Sequence, residues 1–425
     1  MGQGFFHSGF ILEDKEIRLS YVYDCGSMAA YKGERDREID SFHRQAANLR
    51  TLDLLYLSHV HADHINGVEK LLESLAVDTI VLPLIDVVER LIAFGRTAIE
   101  DPVSTLSDFY RDFIIDPTAA LSRFDPRQIL FVEPSGAAGA PGGGGGSIEP
   151  PPEGPDVPFV KGRPDHADPR WILVGRGEPR FAGYQSASSS LTAIIPDTLA
   201  MMTQCSIEAI TPSPVGIEWL LAPYVDQMIE GERRRFLEAL ASECKTTVRN
   251  LEIELTSTDF VQDLVISKID RLAAAYAALA GNLNVTSMSL YSGPARTVEA
   301  GTRRRWECHT GNVNMNWLVD RVAWLGTGDA ALKQKLRRAD FLAHYKGLID
   351  QVVTLTLPHH GSDHNFHTEL VAAICPTICI AAADKYRNWK HPGAHTVQAV
   401  YSQPALLQVV TAMKCSMAFE RASLG

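Results

Sequence analysis

The segment His59-Val60-His61-Ala62-Asp63-His64 constrains this chain more than any other. It sets three imidazoles and a carboxylate within six residues, directly after the apolar run 52–57. That run reads as a buried strand, so the polar side chains gather at a strand end. In extended backbone His59 and His61 point the same way, because side chains alternate with period two. They can bind one ion together. Asp63 and His64 come as the chain turns into a helix, Asn66 onward, and face a second position close by. Imidazole and carboxylate suit zinc, iron or manganese rather than calcium. The bland alternative is a solvated histidine-rich turn.

The surrounding pattern is α/β. Strands are expected over 17–23, 52–58 and 79–84, and helices over 34–49 and 68–75. Short strand, loop and helix in repetition point to a sheet with helices packed on it. Residues 134–169 break the pattern with Gly142 to Gly146 and Pro150, Pro151, Pro152, Pro155 and Pro158. Glycine maximises backbone freedom and proline removes donors, so a flexible surface loop is expected there. The glycine run lacks the Gly-Lys-Ser/Thr of a phosphate loop. Residues 171–195 look strand-like, while 216–245 and 259–281 look helical and amphipathic. The stretch 170–281 therefore reads as a partly helical insertion that covers or extends the core. Strands resume at 285–291, 322–325, 352–357 and 377–382.

Composition narrows the classes. With 425 residues and a 45% hydrophobic fraction the chain can bury a large core as one domain or as two or three. No apolar run approaches a membrane span, and residues 1–10 lack the pattern of a secretory signal. The cysteines number seven and are scattered, which fits a reducing cytoplasm better than a disulfide framework. Cys375 and Cys379 lie in or beside the apolar run 374–383 and read as small core residues. A formal net charge of −11 argues against a surface coated for duplex nucleic acid, though not against a local basic channel.

Further motifs fall in order along the chain. Asp24 precedes Cys25-Gly26; Thr327-Gly328-Asp329 follows an apolar run; Pro358-His359-His360-Gly361-Ser362 follows another. With the hexapeptide, this set resembles the metallo-β-lactamase superfamily over about 1–130 and 283–400. The resemblance implies a four-layer αββα sandwich, with 1–133 and 282–425 as the two halves of a metallo-hydrolase domain. It implies one or two divalent ions, zinc before manganese, held by His59, His61, Asp63, His64, Asp329 and His360. Asp24 would buttress the site and Asp329 would bridge two metals. His359 would orient His360 or touch substrate.

One departure stands out. Superfamily members usually carry another metal-binding histidine on a strand that here begins near Asn284, and none is present. His309, expected in a loop, and His166 are weak substitutes; water or Asn284 could complete the first position. Asn284-x-x-Ser287, Thr-Gly-Asp and His-His-Gly-Ser are similar to the hydrolase domain attached to bacterial DNA-uptake channel proteins. A downstream His391-Pro392 stands where that family has Gly-His-Pro. His391 could act as general acid or contact phosphate, against a plain surface turn. His364, His367 and His395 read as loop or supporting residues.

Basic runs at 233–235, 303–305 and 335–338 read as solvated faces, the second also as a phosphate contact with Trp306 as a stacking residue. The favoured function is a phosphodiesterase or nuclease using a metal-bound hydroxide, with Asp63 or Asp329 orienting it and His391 assisting the leaving group. Alternatives are a small ester, thioester or lactone hydrolase, and a metal-binding partner subunit with weak or no catalysis. Nucleic acid and, through 170–281, a protein are the expected partners; no membrane contact is expected. A β-lactam hydrolase is disfavoured, because that branch usually carries cysteine where Asp329 stands.

Overall fold

Two sheets organise the chain. A computed structural model describes residues 3–13, 16–135, 139–142, 147–151, 160–165, 168–184, 190–207, 215–279, 286–296, 304–310, 313–319, 321–414 and 416–424. The first sheet has seven strands, in the order Phe6–Glu13, Glu16–Cys25, Thr51–Tyr56, Ala76–Pro83, Gln128–Glu133, Leu191–Pro196 and Arg180–Tyr184. Its interior pairings are parallel and its two outermost pairings antiparallel. The second has eight, ordered Leu406–Val410, Ile378–Ala382, Val352–Thr356, Ala323–Gly326, Ser287–Pro294, Val215–Asp226, Leu199–Ile207 and Ile172–Gly175. The first four of these run parallel and the rest antiparallel.

Side-chain alternation turns each sheet into two packing faces. Tyr21, Tyr23, Leu54 and Tyr56 of the first sheet meet Met201, Leu221, Leu290 and Trp324 of the second in one inter-sheet core. Val22 and Leu55 point the other way, into helices Lys32–Gln45, Val87–Glu100 and Asp108–Ile115. On the far side, Tyr291, Leu325 and Leu355 pack under helices Lys335–His344, Thr368–Ile374 and Ala394–Tyr401. The layers therefore read helix, sheet, sheet, helix, as in a metallo-β-lactamase-like sandwich. Each fully buried large aliphatic or aromatic side chain contributes roughly 1.5–3 kcal/mol. Strands sandwiched this way lose the polar alternation of a half-exposed strand.

That loss explains the main departures from expectation. Residues 216–226, expected helical, form the strand Val215–Asp226, paired on both edges and apolar over most of its length. The strands between 172 and 226 are built into both sheets rather than added outside them. Among the described residues of this stretch, the helices of Glu230–Ala277 stand apart, closing the outer face of the first sheet through Phe236, Leu240, Leu264 and Leu272. The Gly/Pro-rich stretch is not a free loop where it is described: Ala140 and Val160 are buried, and Gly142 packs so closely on Ala295 that a Cβ would lie 2.3 Å from its carbonyl oxygen. Residues 143–146 and His166 lie outside the described residues.

Cys379 is buried as expected, but Cys375 is exposed. It closes helix Thr368–Ile374 in a left-handed cap, φ 49°, with Pro376 preventing continuation. Among the described residues, no helix is long and apolar enough to cross a membrane.

Candidate metal centre

The C-terminal ends of parallel strands from both sheets open onto one edge of the sandwich, where ligands gather in open α/β sheets. Glu16–Cys25 delivers Asp24, and Thr51–Tyr56 delivers His59 to His64. Ala323–Gly326 delivers Asp329, Val352–Thr356 delivers His359 and His360, and Ile378–Ala382 leads to His391. Close approach makes this possible at Gly26, where a Cβ would sit 2.4 Å from the Asp63 backbone carbon. Gly328 takes a left-handed φ of 52° that turns the chain before Asp329. His359 and His360 are both left-handed, with φ 48° and 59°, so consecutive imidazoles project to different partners. Such backbone is sparsely populated for non-glycine residues and clusters at functional sites.

The side chains converge on Asp329. His59 Nε2 lies 3.4 Å and His61 Nδ1 3.9 Å from its Oδ2. His64 Nε2 lies 3.7 Å from its Oδ1. Asp63 Oδ2 is 3.5 Å from His360 Nε2 and 3.8 Å from His64 Nε2. Two sets of donors compatible with a cation thus share Asp329: His59, His61 and Asp329 on one side, and His64, Asp329 and His360 on the other. All are buried.

A second set of contacts fixes their tautomers. Asp24 accepts from the Ser58 amide at 2.6 Å, the Ser58 hydroxyl at 2.6 Å and His64 Nδ1 at 2.8 Å. With its proton donated to Asp24, the Ser58 hydroxyl accepts from His59 Nδ1 at 2.8 Å. His360 Nδ1 donates to the Ala382 carbonyl at 2.8 Å. Each arrangement turns Nε2 of His59, His64 and His360 into the site, the usual support of a metal-ligating imidazole.

The residues fit divalent cations on one decisive observation. Nε2 of His59, His61, His64 and His360, and Oδ1 of Asp329, are buried and have no hydrogen-bond partner. Buried polar atoms left alone cost about 1–3 kcal/mol each, so five orphans in one place need a ligand. The local field agrees. Burial would raise Asp329, but the histidines gathered around it pull it well below the usual carboxylate range. Burial would lower His64, yet Asp24, Asp63 and Asp329 hold it up to about 9. A carboxylate cage that retains a proton would exchange it for a cation, releasing the proton.

The other expected residues divide. His359 does not share the orphan pattern. Asn365 donates its amide to the Asp329 carbonyl at 3.0 Å, which turns its oxygen toward His359 Nδ1 at 3.1 Å. His359 Nε2 then accepts from Arg96 Nη2 at 3.1 Å. His391 is brought to the rim, its ring 5.8 Å from His359 and 6.3 Å from His360. Burial, then the neighbouring His360, lowers it to about 4. His364 and His395 are exposed, and His367 caps helix Thr368–Ile374 by accepting from the Glu369 amide.

Asn284 and Arg303 lie outside the described residues. His309, expected in a loop, belongs to strand Arg304–Thr310 of a separate three-stranded sheet; Trp306 is in the same strand, and their side chains lie outside the described set. Of the run 335–338, expected as a solvated face, Arg338 is buried and pairs with Glu369.

Ser58, Arg96 and Asn365 were not singled out by sequence. Ser58 directly precedes the hexapeptide and Asn365 follows the His-His-Gly-Ser motif closely, but Arg96 sits in an ordinary amphipathic helix with no local signal. That helix, Val87–Glu100, starts at a capping box of Asp86 and Glu89.

The geometry can be set beside known proteins. Residues 8–160 match the family model described as the metallo-beta-lactamase superfamily. The matched segment contains Asp24 and the whole hexapeptide. It supports the superfamily and, with the histidine–aspartate cluster, a metal-dependent hydrolase. No curated protein matches the chain.

Proposed function

We propose that this protein is a metal-dependent phosphodiesterase with nucleic acid as its substrate class. The observation that carries the reading is the position of Asp329. One carboxylate oxygen faces His59 and His61, and the other faces His64, so a single side chain serves two cation positions. His59, His61 and Asp329 would hold the first, and Asp63, His64, Asp329 and His360 the second. Bound there, divalent cations would acidify a water and neutralise charge at phosphorus in an in-line displacement.

The chain's own residues do the rest. Asp63 is within reach of His64 and His360 and can accept a hydrogen bond from the attacking water, orienting it. His391, at the rim, would hydrogen-bond the leaving oxygen. Ser58 and Asp24 lock the imidazoles before substrate arrives, so no reorientation is needed in the transition state.

The test is to incubate the purified protein with Zn²⁺ or Mn²⁺ and single-stranded DNA, duplex DNA, RNA, bis-p-nitrophenyl phosphate and a thioester. Phosphodiester cleavage that disappears in His61→Ala is the expected result. Thioester turnover alone would replace this reading with a small-ester hydrolase. Silence on every substrate with metal bound would replace it with a metal-binding partner subunit.

A further inference from the structure

Arg96 is a buried cation beside a cation site, and the known parts of the site do not use it. It lies on helix Val87–Glu100 and is 4% exposed. Its Nε donates to Glu100 Oε2 at 2.7 Å and its Nη2 to His359 Nε2 at 3.1 Å. Its Nη1 is buried and has no partner. The cleft on this side of the centre is lined by Met28, His61, Asp63, Arg96, Thr97 and Glu100. Arg96 and His61, one of the residues proposed to hold the first cation, therefore line the same cleft.

This placement has an electrostatic consequence. A guanidinium stays charged in proteins, and a fixed positive charge this close opposes a divalent cation on His59 and His61. Glu100 offsets part of that repulsion but leaves Nη1 unsatisfied. An anion lying between Arg96 and the first cation position would resolve both problems at once. It would accept from Nη1 and face the cation with a second oxygen. Guanidinium recognises phosphoryl oxygens through parallel N–H donors, which an ammonium cannot reproduce.

We infer that Arg96 is a substrate-binding residue that holds a non-bridging phosphoryl oxygen over the first cation position. The inference rests on the phosphodiester reading for its substrate, but the anion contact itself does not require turnover. His359, held between Asn365 and Arg96, is then a positioning residue that sets the guanidinium plane.

The experiment measures the affinity of inorganic phosphate for the zinc-loaded full chain by calorimetry, beside zinc content and the KM for bis-p-nitrophenyl phosphate. Arg96→Met should weaken phosphate binding by about 10–100-fold, the range for one charge-assisted hydrogen bond, with zinc content unchanged. Arg96→Lys should recover part of that loss and guards against a Met variant that does not fold. Glu100→Gln removes the ion pair but keeps the guanidinium, and should keep phosphate binding. Unchanged phosphate affinity in both Arg96 variants, at equal zinc, overturns the inference. So does a Glu100→Gln loss as large as that of Arg96→Met, which would assign the effect to the helix ion pair. A parent protein that binds phosphate through Arg96 but cleaves no diester sinks the phosphodiesterase reading alone. Cleavage that is indifferent to Arg96 sinks this inference alone.

Discussion

Buried histidines occur in two settings here. At the cleft edge, His59, His61, His64 and His360 each keep an Nε2 atom without a partner. Under the outer helices, His344 is equally buried, but its Nε2 donates to the Pro223 carbonyl at 3.0 Å and its ring packs on Tyr224 and Tyr345. Burial by itself disfavours a charged imidazole in both settings, though neighbouring carboxylates reverse this at His64. Only the first gathers several imidazoles around one carboxylate. Burial by itself therefore says nothing of a metal; an unsatisfied set of donors does. The comparison predicts that changes at the cleft alter cation affinity, and that changes at His344 alter only the protein's own stability and its pH dependence.

The largest effect should come from Asp329→Ala. Both proposed cation positions draw on this side chain, so the variant should lose stoichiometric zinc at both and lose hydrolysis with it. Elemental analysis after dialysis checks the first, and a phosphodiesterase assay the second. Retention of one full equivalent of zinc would mean that the two sets of donors do not share Asp329.

A smaller, graded effect should separate Asp24 from Ser58. Asp24 supports His64 directly and His59 through the Ser58 hydroxyl, whereas Ser58 chiefly supports His59, at 2.8 Å, with only a long 3.4 Å contact to His64 Nδ1. Outer partners of metal ligands are worth roughly 10–100-fold in affinity or activity. Asp24→Asn should therefore weaken both zinc equivalents by about that factor, and Ser58→Ala chiefly one. Titration with a competing chelator distinguishes them. Equal loss at both positions in Ser58→Ala would break the assignment of His59 to a separate cation.

How much of this was legible beforehand follows from where each signal lives. The hexapeptide, Asp24, Asp329 and His360 announce themselves because chemistry-bearing residues sit in a short stretch at a strand end. Arg96 does not, because its role depends on a helix face meeting a loop more than 250 residues away, near His359, a juxtaposition only the fold creates. The same holds for Val215–Asp226. Its apolar length satisfies helix and buried strand alike, and the two-sided pairing that decides between them is tertiary. The four layers were anticipated through the resemblance rather than through periodicity. Periodicity gave strands and helices in alternation, including strand-like residues at 171–195, but Val215–Asp226 escaped it because it is paired on both edges within the sheet.

The smallest effect belongs to His344, and it is the one that sharpens the comparison. Burial lowers the pKa of this imidazole below the ordinary 6.5, while Asp197 and the Pro223 carbonyl oppose the shift only in part. The folded protein therefore holds His344 neutral at a pH where the unfolded chain has begun to take up a proton. Where the unfolded state binds more protons, stability rises with pH. The contribution is complete above 6.5 and drains away as pH falls through the window below it, with a slope of at most about 1.4 kcal/mol per pH unit. His344→Gln keeps a donor for the Pro223 carbonyl but cannot titrate. Urea unfolding of variant and parent from about pH 7 to about pH 5 should show a shallower acid loss in the variant by up to one proton. Zinc affinity at neutral pH should be the same in both. A change in zinc affinity would couple the outer helix layer to the cleft and dissolve the distinction between the two kinds of buried histidine. An unchanged slope would mean that His344 already titrates normally in the folded protein.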